Sequence, residues 1–434
     1  MSVGIAREEG MTGTTGVRSS LEDRYDKFLR EDLSFRGQVS YVGNKKEPVL
    51  RWFRFKEAFS GELVRRLLSK FESSHDNCVL DPFCGMGTTP FVCQQHGIPS
   101  VGVDNFQIAT FIASTIVSAH EVDLEDVKRW AVKLPELASE QVPNAIPDVP
   151  TIKVAFQPDV LQELLRWREA IFCIDNSTVR NIIALAFFNV IQDVSYTSND
   201  GQFLRLVKNK RIPRVEKAFK KHIKVVLEDL ARKEFWAPKK KLSVIIEGDS
   251  RKLSKLELPA VDTVITSPPY LNRYDYSRSY VLQFVIYFLK SANDIKEVRF
   301  RRLLRSHIES KVSKGEKPNH PAVAEVLDCL KKKRLNNPRI PCMILAYFRD
   351  MEECIKELSK VLNKKAKVAF VIGNTRFEGE VIPVDLILSD IAQRYGFEVK
   401  EIIVTRYKGN SSQQMKRYGM FRVRESILFW EFTG

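Results

Sequence analysis

The chain has 434 residues, 44% of them hydrophobic and 28% charged, a balance that suits a soluble globular protein with a catalytic core and a large insertion, or two smaller modules. Its longest apolar runs, residues 182–188 and 281–289, are far too short to span a bilayer. No secretory signal is expected, and seven cysteines without a Cys-x-x-Cys pair argue against a disulfide framework or a zinc site. No metal is therefore expected, and a cytoplasmic location with reduced thiols is the default.

The formal net charge of +15 is concentrated in two places. Residues 201–241 carry 14 Lys/Arg against 4 Asp/Glu, and residues 296–340 carry 13 against 5. The remainder of the chain is slightly acidic. Localised positive charge is the footprint of a polyanion partner; a lysine-rich solvated helix face reads the same way.

In chain order, residues 1–20 are rich in Gly, Ser and Thr and are expected to be a disordered tail. Residues 21–106 form the first part of a catalytic domain. They include the aromatic and basic stretch Arg51-Trp52-Phe53-Arg54-Phe55-Lys56 and a helix from Ser60, a natural N-cap, to Phe71. A short apolar strand then ends in Asp81 and runs into a turn, Asp-Pro-Phe-Cys-Gly-Met-Gly-Thr-Thr at 81–89, with a helix through His96. A second strand, residues 100–104, ends in Asp104. Strand, glycine turn, helix, strand and acid make the opening βαβ unit of a doubly wound sheet.

Residues 107–240 read as a largely helical, basic insertion, a candidate region for recognising a polyanion such as DNA. Val215, Phe219, Ile223, Val226, Leu227 and Leu230 fall on one helix face. The second part of the catalytic domain is residues 241–434. Strands are expected at 242–247 and 261–266, a helical basic segment at 290–343, a strand at 367–372 and a helix at 383–395. Residues 397–406 and 425–432 should close the sheet as an antiparallel pair.

The glycine turn has the features of a nucleoside site. Gly85 and Gly87 permit positive φ and close backbone approach, and the turn sits at the carboxyl end of a strand, where open α/β sheets bind ligands. Asp81, Pro82, Phe83, Gly85, Gly87 and Thr88 are the candidate binding residues of the turn. Asp104 and Asn105, about 20 residues on, are placed to meet ribose hydroxyls. Asp249 and Ser250 add a third strand end, as contacts to an adenine ring or as a helix N-cap.

Thr266-Ser267-Pro268-Pro269-Tyr270 follows a strand. Two prolines fix φ twice and remove two donors, leaving an acceptor-rich rigid turn. An exocyclic base amine is a poor nucleophile because its lone pair is delocalised into the ring. Accepting its two N–H groups at the Ser267 hydroxyl and the Pro268 carbonyl favours a pyramidal nitrogen that can attack a sulfonium methyl in line. Tyr270 is placed to stack on the base. A base in a duplex must be flipped out to reach such a pocket.

The motifs at 81–89 and 266–270 resemble those of the amino-group DNA methyltransferases. The Ser-Pro-Pro-Tyr form is similar to the cytosine-N4 branch, whereas adenine-N6 members more often carry Asp-Pro-Pro-Tyr. Residues 271–276 and 409–415 also look like that branch. The resemblance implies a class I methyltransferase fold, a Rossmann-like doubly wound sheet of seven strands with an antiparallel last strand. It implies S-adenosyl-L-methionine as cofactor and double-stranded DNA as partner, with a cognate restriction endonuclease as a further candidate partner. It also places residues 53–59 over the methionine end of the cofactor. Adenine-N6 chemistry, an RNA base substrate and an inactive DNA-binding protein of the same fold stand as alternatives.

Overall fold

The computed structural model describes residues 16–200, 203–207, 209–232, 242–312, 315–409 and 422–434. Its strands are β1 (Leu29–Glu31), β2 (Val79–Asp81), β3 (Ser100–Asp104), β4 (Thr197–Asp200), β5 (Phe203–Leu206), β6 (Ser243–Glu247), β7 (Val261–Thr266), β8 (Leu362–Gly373), β9 (Thr375–Phe377), β10 (Glu380–Ile382), β11 (Phe397–Gly409) and β12 (Arg422–Phe432). β4 with β5 and β9 with β10 are small hairpins; the other eight form one sheet in the order β1-β11-β12-β8-β7-β2-β3-β6.

Strands β6, β3, β2, β7 and β8 run parallel, and β12 is antiparallel to both β8 and β11. This is the class I methyltransferase sheet, with one strand more than the seven expected. The extra strand is β1, three residues added in parallel at the edge with Leu29 opposite Ile402; Leu-Arg-Glu is too short to show a period of two. The chain winds outward from β2 through β3 to β6, then returns to β7 on the other side of β2. That reversal is a topological switch point, where such sheets bind ligands.

Alternation along the strands explains why both faces are covered. On β8, Val368, Phe370 and Ile372 enter one apolar layer, while Ala369 and Val371 enter the other. Ile427 and Phe429 on β12 likewise oppose Leu428 and Trp430. Strands buried on both faces need helices on both faces. The helices Ile340–Ser359 and Val384–Gln393 cover one side; Gly61–Phe71, Thr88–Gln95 and Gln107–Ser118 cover the other. Ser60 caps the Gly61–Phe71 helix as expected, accepting from Leu63 N at 3.3 Å.

Three expectations are corrected. The helix Val17–Tyr25 begins inside the stretch read as a disordered tail, with Leu21 and Tyr25 buried. It is held by Arg18, whose Nε donates to Glu325 at 2.7 Å and whose Nη1 donates to the Val381 carbonyl at 2.8 Å. The helix Gln107–Ser118 packs on β3 and β6, so it belongs to the core and the insertion starts after it. The helical basic segment expected at 290–343 is not continuous but is broken into short helical pieces, of which Pro321–Lys331 is the longest lying wholly within it.

The insertion does not form a body of its own. Its helix Ser177–Asp193, which contains the apolar run 182–188, is buried on all sides and joins the same core as the sheet. Helix Val215–Leu230 packs against it with Val215, Phe219, Ile223, Val226 and Leu230 inward. At its end, fully buried Asp229 accepts from Val49 N at 2.9 Å, Arg51 Nε at 2.9 Å and Trp52 Nε1 at 3.0 Å. Val49 has φ of 68°, a strained conformation for a β-branched residue, and the Asp229 carboxylate holds its N–H.

Candidate active site

The glycine turn leaves β2 at Asp81. Gly85 and Gly87 take φ of +50° and +85°. A Cβ on Gly85 would stand 3.2 Å from the Phe55 ring, and one on Gly87 would stand 2.8 Å from Ala113 Cβ. Gly87 therefore serves the packing of the helix Gln107–Ser118, and Gly85 admits the aromatic side chain above it. Phe55 in turn stacks on Tyr280, with centroids 5.0 Å apart and planes 8° apart.

Acids at neighbouring strand ends shape the turn. Asp104 accepts from Gly85 N at 3.0 Å and from Phe106 N at 2.9 Å. Burial raises its carboxyl to about 6, against the opposing pull of these backbone donors. Asp81 accepts from Phe83 N at 3.1 Å and Thr266 Oγ1 at 2.6 Å, and burial raises it to about 7.

A cavity opens at these strand ends. Of the residues expected to bind a nucleoside, Asp81, Phe83, Gly85, Thr88, Asp104, Asn105, Asp249 and Ser250 line it. Pro82 and Gly87 do not; both are spent on the backbone of the turn. Asp249 touches the cavity, but its carboxylate is held by Arg251, with Nε to Oδ1 and Nη2 to Oδ2 both at 2.9 Å. It also caps the following helical turn by accepting from Arg251 N at 3.0 Å. Ser250 Oγ donates to the Pro82 carbonyl and Asn105 Nδ2 to the Arg302 carbonyl. Thr88 Oγ1 is buried with no hydrogen-bond partner among the described residues, so one cavity-lining hydroxyl is left for a ligand.

The proline turn leaves β7, which is hydrogen-bonded to β2 in parallel. Ser267 and Pro269 line the same cavity as Gly85. On its other side the turn lines a second cavity through Ser267, Pro268 and Tyr270. Glu57, Ala58, Phe59, Ser267 and Tyr276 line both cavities. The hydroxyl of Ser267 is thus at the boundary between them.

Tyr270 is anchored. Its hydroxyl donates to Glu425 Oε1 at 2.9 Å and lies 3.5 Å from Ser267 Oγ. Lys408 Nζ stands 4.9 Å from its ring centroid and donates to Glu425 Oε1 at 2.6 Å. Arg406 pairs with the other oxygen of Glu425. Arg406, Lys408 and Lys56 line the second cavity.

Sequence reasoning missed several lining residues. Phe106 follows Asn105 directly. Leu303 and Leu304 line the first cavity and were hidden inside an arginine-rich run. The arginines of that run turn partly inward: Arg299 pairs with Asp275 at 2.9 Å and Arg305 with Asp350 at 2.7 Å. The polar stretch 409–415 lies outside the described residues after Gly409.

Among curated proteins, the chain is 32% identical to the type II methyltransferase M.AvaI of Nostoc sp., covering 95% of this chain and 92% of that protein. It is 29% identical to the type II methyltransferase M.BsoBI of Geobacillus stearothermophilus, over the same shares. Among solved structures, an rRNA methyltransferase, aviRa of Streptomyces viridochromogenes, aligns at 12% identity with a TM-score of 0.31, covering 93% of both chains. No protein-family model matches.

Proposed function

The chain belongs to the type II methyltransferases, and from that premise we propose that it transfers the methyl group of S-adenosylmethionine to the exocyclic N4 amine of a cytosine flipped out of double-stranded DNA, within a restriction–modification pair. The observation that carries this reading is the position of Ser267 on the wall shared by two cavities. One cavity has the donor and acceptor set for a nucleoside, and the other has room for a base.

When bound, the cofactor supplies an electrophilic methyl on a sulfonium. Asp104 would accept from its ribose, Phe83 and Phe106 would contact its ring, and the segment carrying Phe55, Ala58 and Phe59 would cover its amino-acid end. The adenine contact first expected of Asp249 is confined to lone pairs that Arg251 leaves free.

The target base enters the second cavity with its amine toward Ser267 and Pro268. Their oxygens accept the two N–H groups and turn the nitrogen lone pair toward the cofactor side, so positioning supplies a large share of the rate. Two features favour cytosine over adenine. A neutral serine replaces the aspartate more usual in the adenine branch, and Lys408 and Arg406 offer donors for the O2 carbonyl of cytosine, where adenine has only a C–H. Tyr270 is held by Glu425 as a fixed wall for the base.

The test is direct. Duplex DNA incubated with the purified protein and S-adenosylmethionine is digested to nucleosides and examined by mass spectrometry. N4-methylcytosine is the expected product. N6-methyladenine, or methylation confined to RNA, would overturn the assignment.

A further inference from the structure

The methyl transfer leaves a proton to be disposed of. Bond formation from the amine nitrogen to the methyl carbon, with cleavage of the carbon–sulfur bond, converts a neutral amine into a positively charged one. Ser267 and the Pro268 carbonyl accept hydrogen bonds but cannot keep a proton.

A carboxyl stands at this place. Glu57 is the one ionisable residue among the five that line both cavities apart from Tyr276. Its Oε2 accepts from Tyr280 Oη at 2.5 Å. Its Oε1 is buried without a hydrogen bond of good geometry among the described residues, and the Tyr274 hydroxyl faces the same carboxylate. A buried carboxylate oxygen without a donor is costly unless a ligand meets it. Other groups facing Glu57 are Lys56, Tyr274 and Tyr276, with Asp104 across the first cavity and Arg406, Lys408 and Glu425 across the second.

We propose that Glu57 is the proton acceptor of the reaction: once the nitrogen has gained its methyl group, the hydrogen first held by the Ser267 hydroxyl passes to Glu57 Oε1. The balance closes. The amine nitrogen gains a carbon and loses a proton, the sulfonium becomes a neutral thioether, and the carboxylate becomes a carboxylic acid that returns its proton to solvent when the DNA leaves. This inference rests on the amine-methylation reading above, but not on which base is the target. Burial holds the Glu57 carboxyl above the usual glutamate range, which makes it a stronger acceptor once ionised.

Glu57→Gln is the test, because a glutamine oxygen can still accept from Tyr280 and the volume is unchanged. Single-turnover methylation should slow on the order of 100-fold, within the range for losing a positioned general base. The wild-type rate should rise with pH through a midpoint above the ordinary glutamate range, and that limb should be absent from the variant. Cofactor affinity by calorimetry, and duplex affinity by fluorescence anisotropy without cofactor, should each stay within about twofold. A variant rate within threefold of wild type, or the same acidic limb in both proteins, overturns the proposal. So does loss of cofactor or duplex binding large enough to account for the slowing. If the product is N6-methyladenine and Glu57→Gln still removes the limb, the cytosine reading fails and the role of Glu57 stands; if N4-methylcytosine forms normally in the variant, the reverse holds.

Discussion

Thr266 Oγ1 donates to Asp81 Oδ1 at 2.6 Å, fully buried, so the last residue of β7 is tied to the last residue of β2. One hydrogen bond thereby sets the glycine turn and the proline turn side by side. Thr266→Val keeps the shape and removes the donor, and should destabilise the fold by about 1–3 kcal/mol in urea unfolding. The pH dependence has a defined sign. Asp81 ionises at about 7 when folded and near 4 when unfolded, so the folded state binds more protons between these values. Its contribution to stability is full below about 4 and is lost as pH rises through about 7. In cofactor-free protein, Asp81→Asn should remove that downward slope; an unchanged slope would refute the assignment of the buried carboxyl.

Asp104 should make cofactor binding sensitive to mild acid. Its carboxyl sits at about 6, and protonation removes an acceptor from the ribose. Affinity for S-adenosylmethionine should weaken as pH falls below about 6, and calorimetry should show that this component is missing from Asp104→Asn. At pH 8 the variant should bind about 10- to 100-fold more weakly, corresponding to about 1.5–3 kcal/mol for hydrogen bonds to a charged group.

Ser267→Ala should separate binding from chemistry. Serine lines both cavities, yet its hydroxyl is aimed at the target amine in the reading above. Single-turnover methylation should fall on the order of 100-fold, the scale for removing one positioned polar contact at a reacting centre, with cofactor affinity within about twofold. Full turnover in the alanine variant would remove Ser267 from the mechanism.

Two glycines with similar backbone angles should respond differently to alanine. Gly87 at φ +85° would put its Cβ 2.8 Å from Ala113, whereas Gly97 at φ +71° has nothing within 4 Å. Gly97→Ala should cost about 1–2 kcal/mol, the left-handed penalty alone. Gly87→Ala adds overpacking of about 1–3 kcal/mol. Urea midpoints should rank wild type, Gly97→Ala, Gly87→Ala, and equal loss in the two variants would show that Ala113 can yield.

Legibility in the sequence followed distance along the chain. β3 and β7 were readable to the residue, because each strand and its terminal acid or proline turn is a local pattern. The two motifs line one cavity, since both leave carboxyl ends of parallel strands in one sheet. What could not be read depends on long-range partners. Asp249 faces a binding cavity in sequence logic, yet Arg251, two residues on, captures its carboxylate. Arg299 and Arg305 count as free charge until Asp275 and Asp350 appear beside them. Glu57 is unremarkable in an aromatic and basic stretch until the fold sets it on the wall of the same two cavities as Ser267. β1 carries no periodic signal at three residues.

The grip of Asp229 on Val49, Arg51 and Trp52 has an engineering consequence. The insertion helix that supplies this carboxylate determines where the following residues run, and those residues include Phe55 and Glu57. The middle of the chain is therefore not a cassette that can be exchanged between relatives on its own. A chimaera that exchanges it without its matching N-terminal strap would leave the Arg51 guanidinium and the strained Val49 N–H without their carboxylate, and would shift Phe55 and Glu57 at the candidate site even if every other residue there were retained.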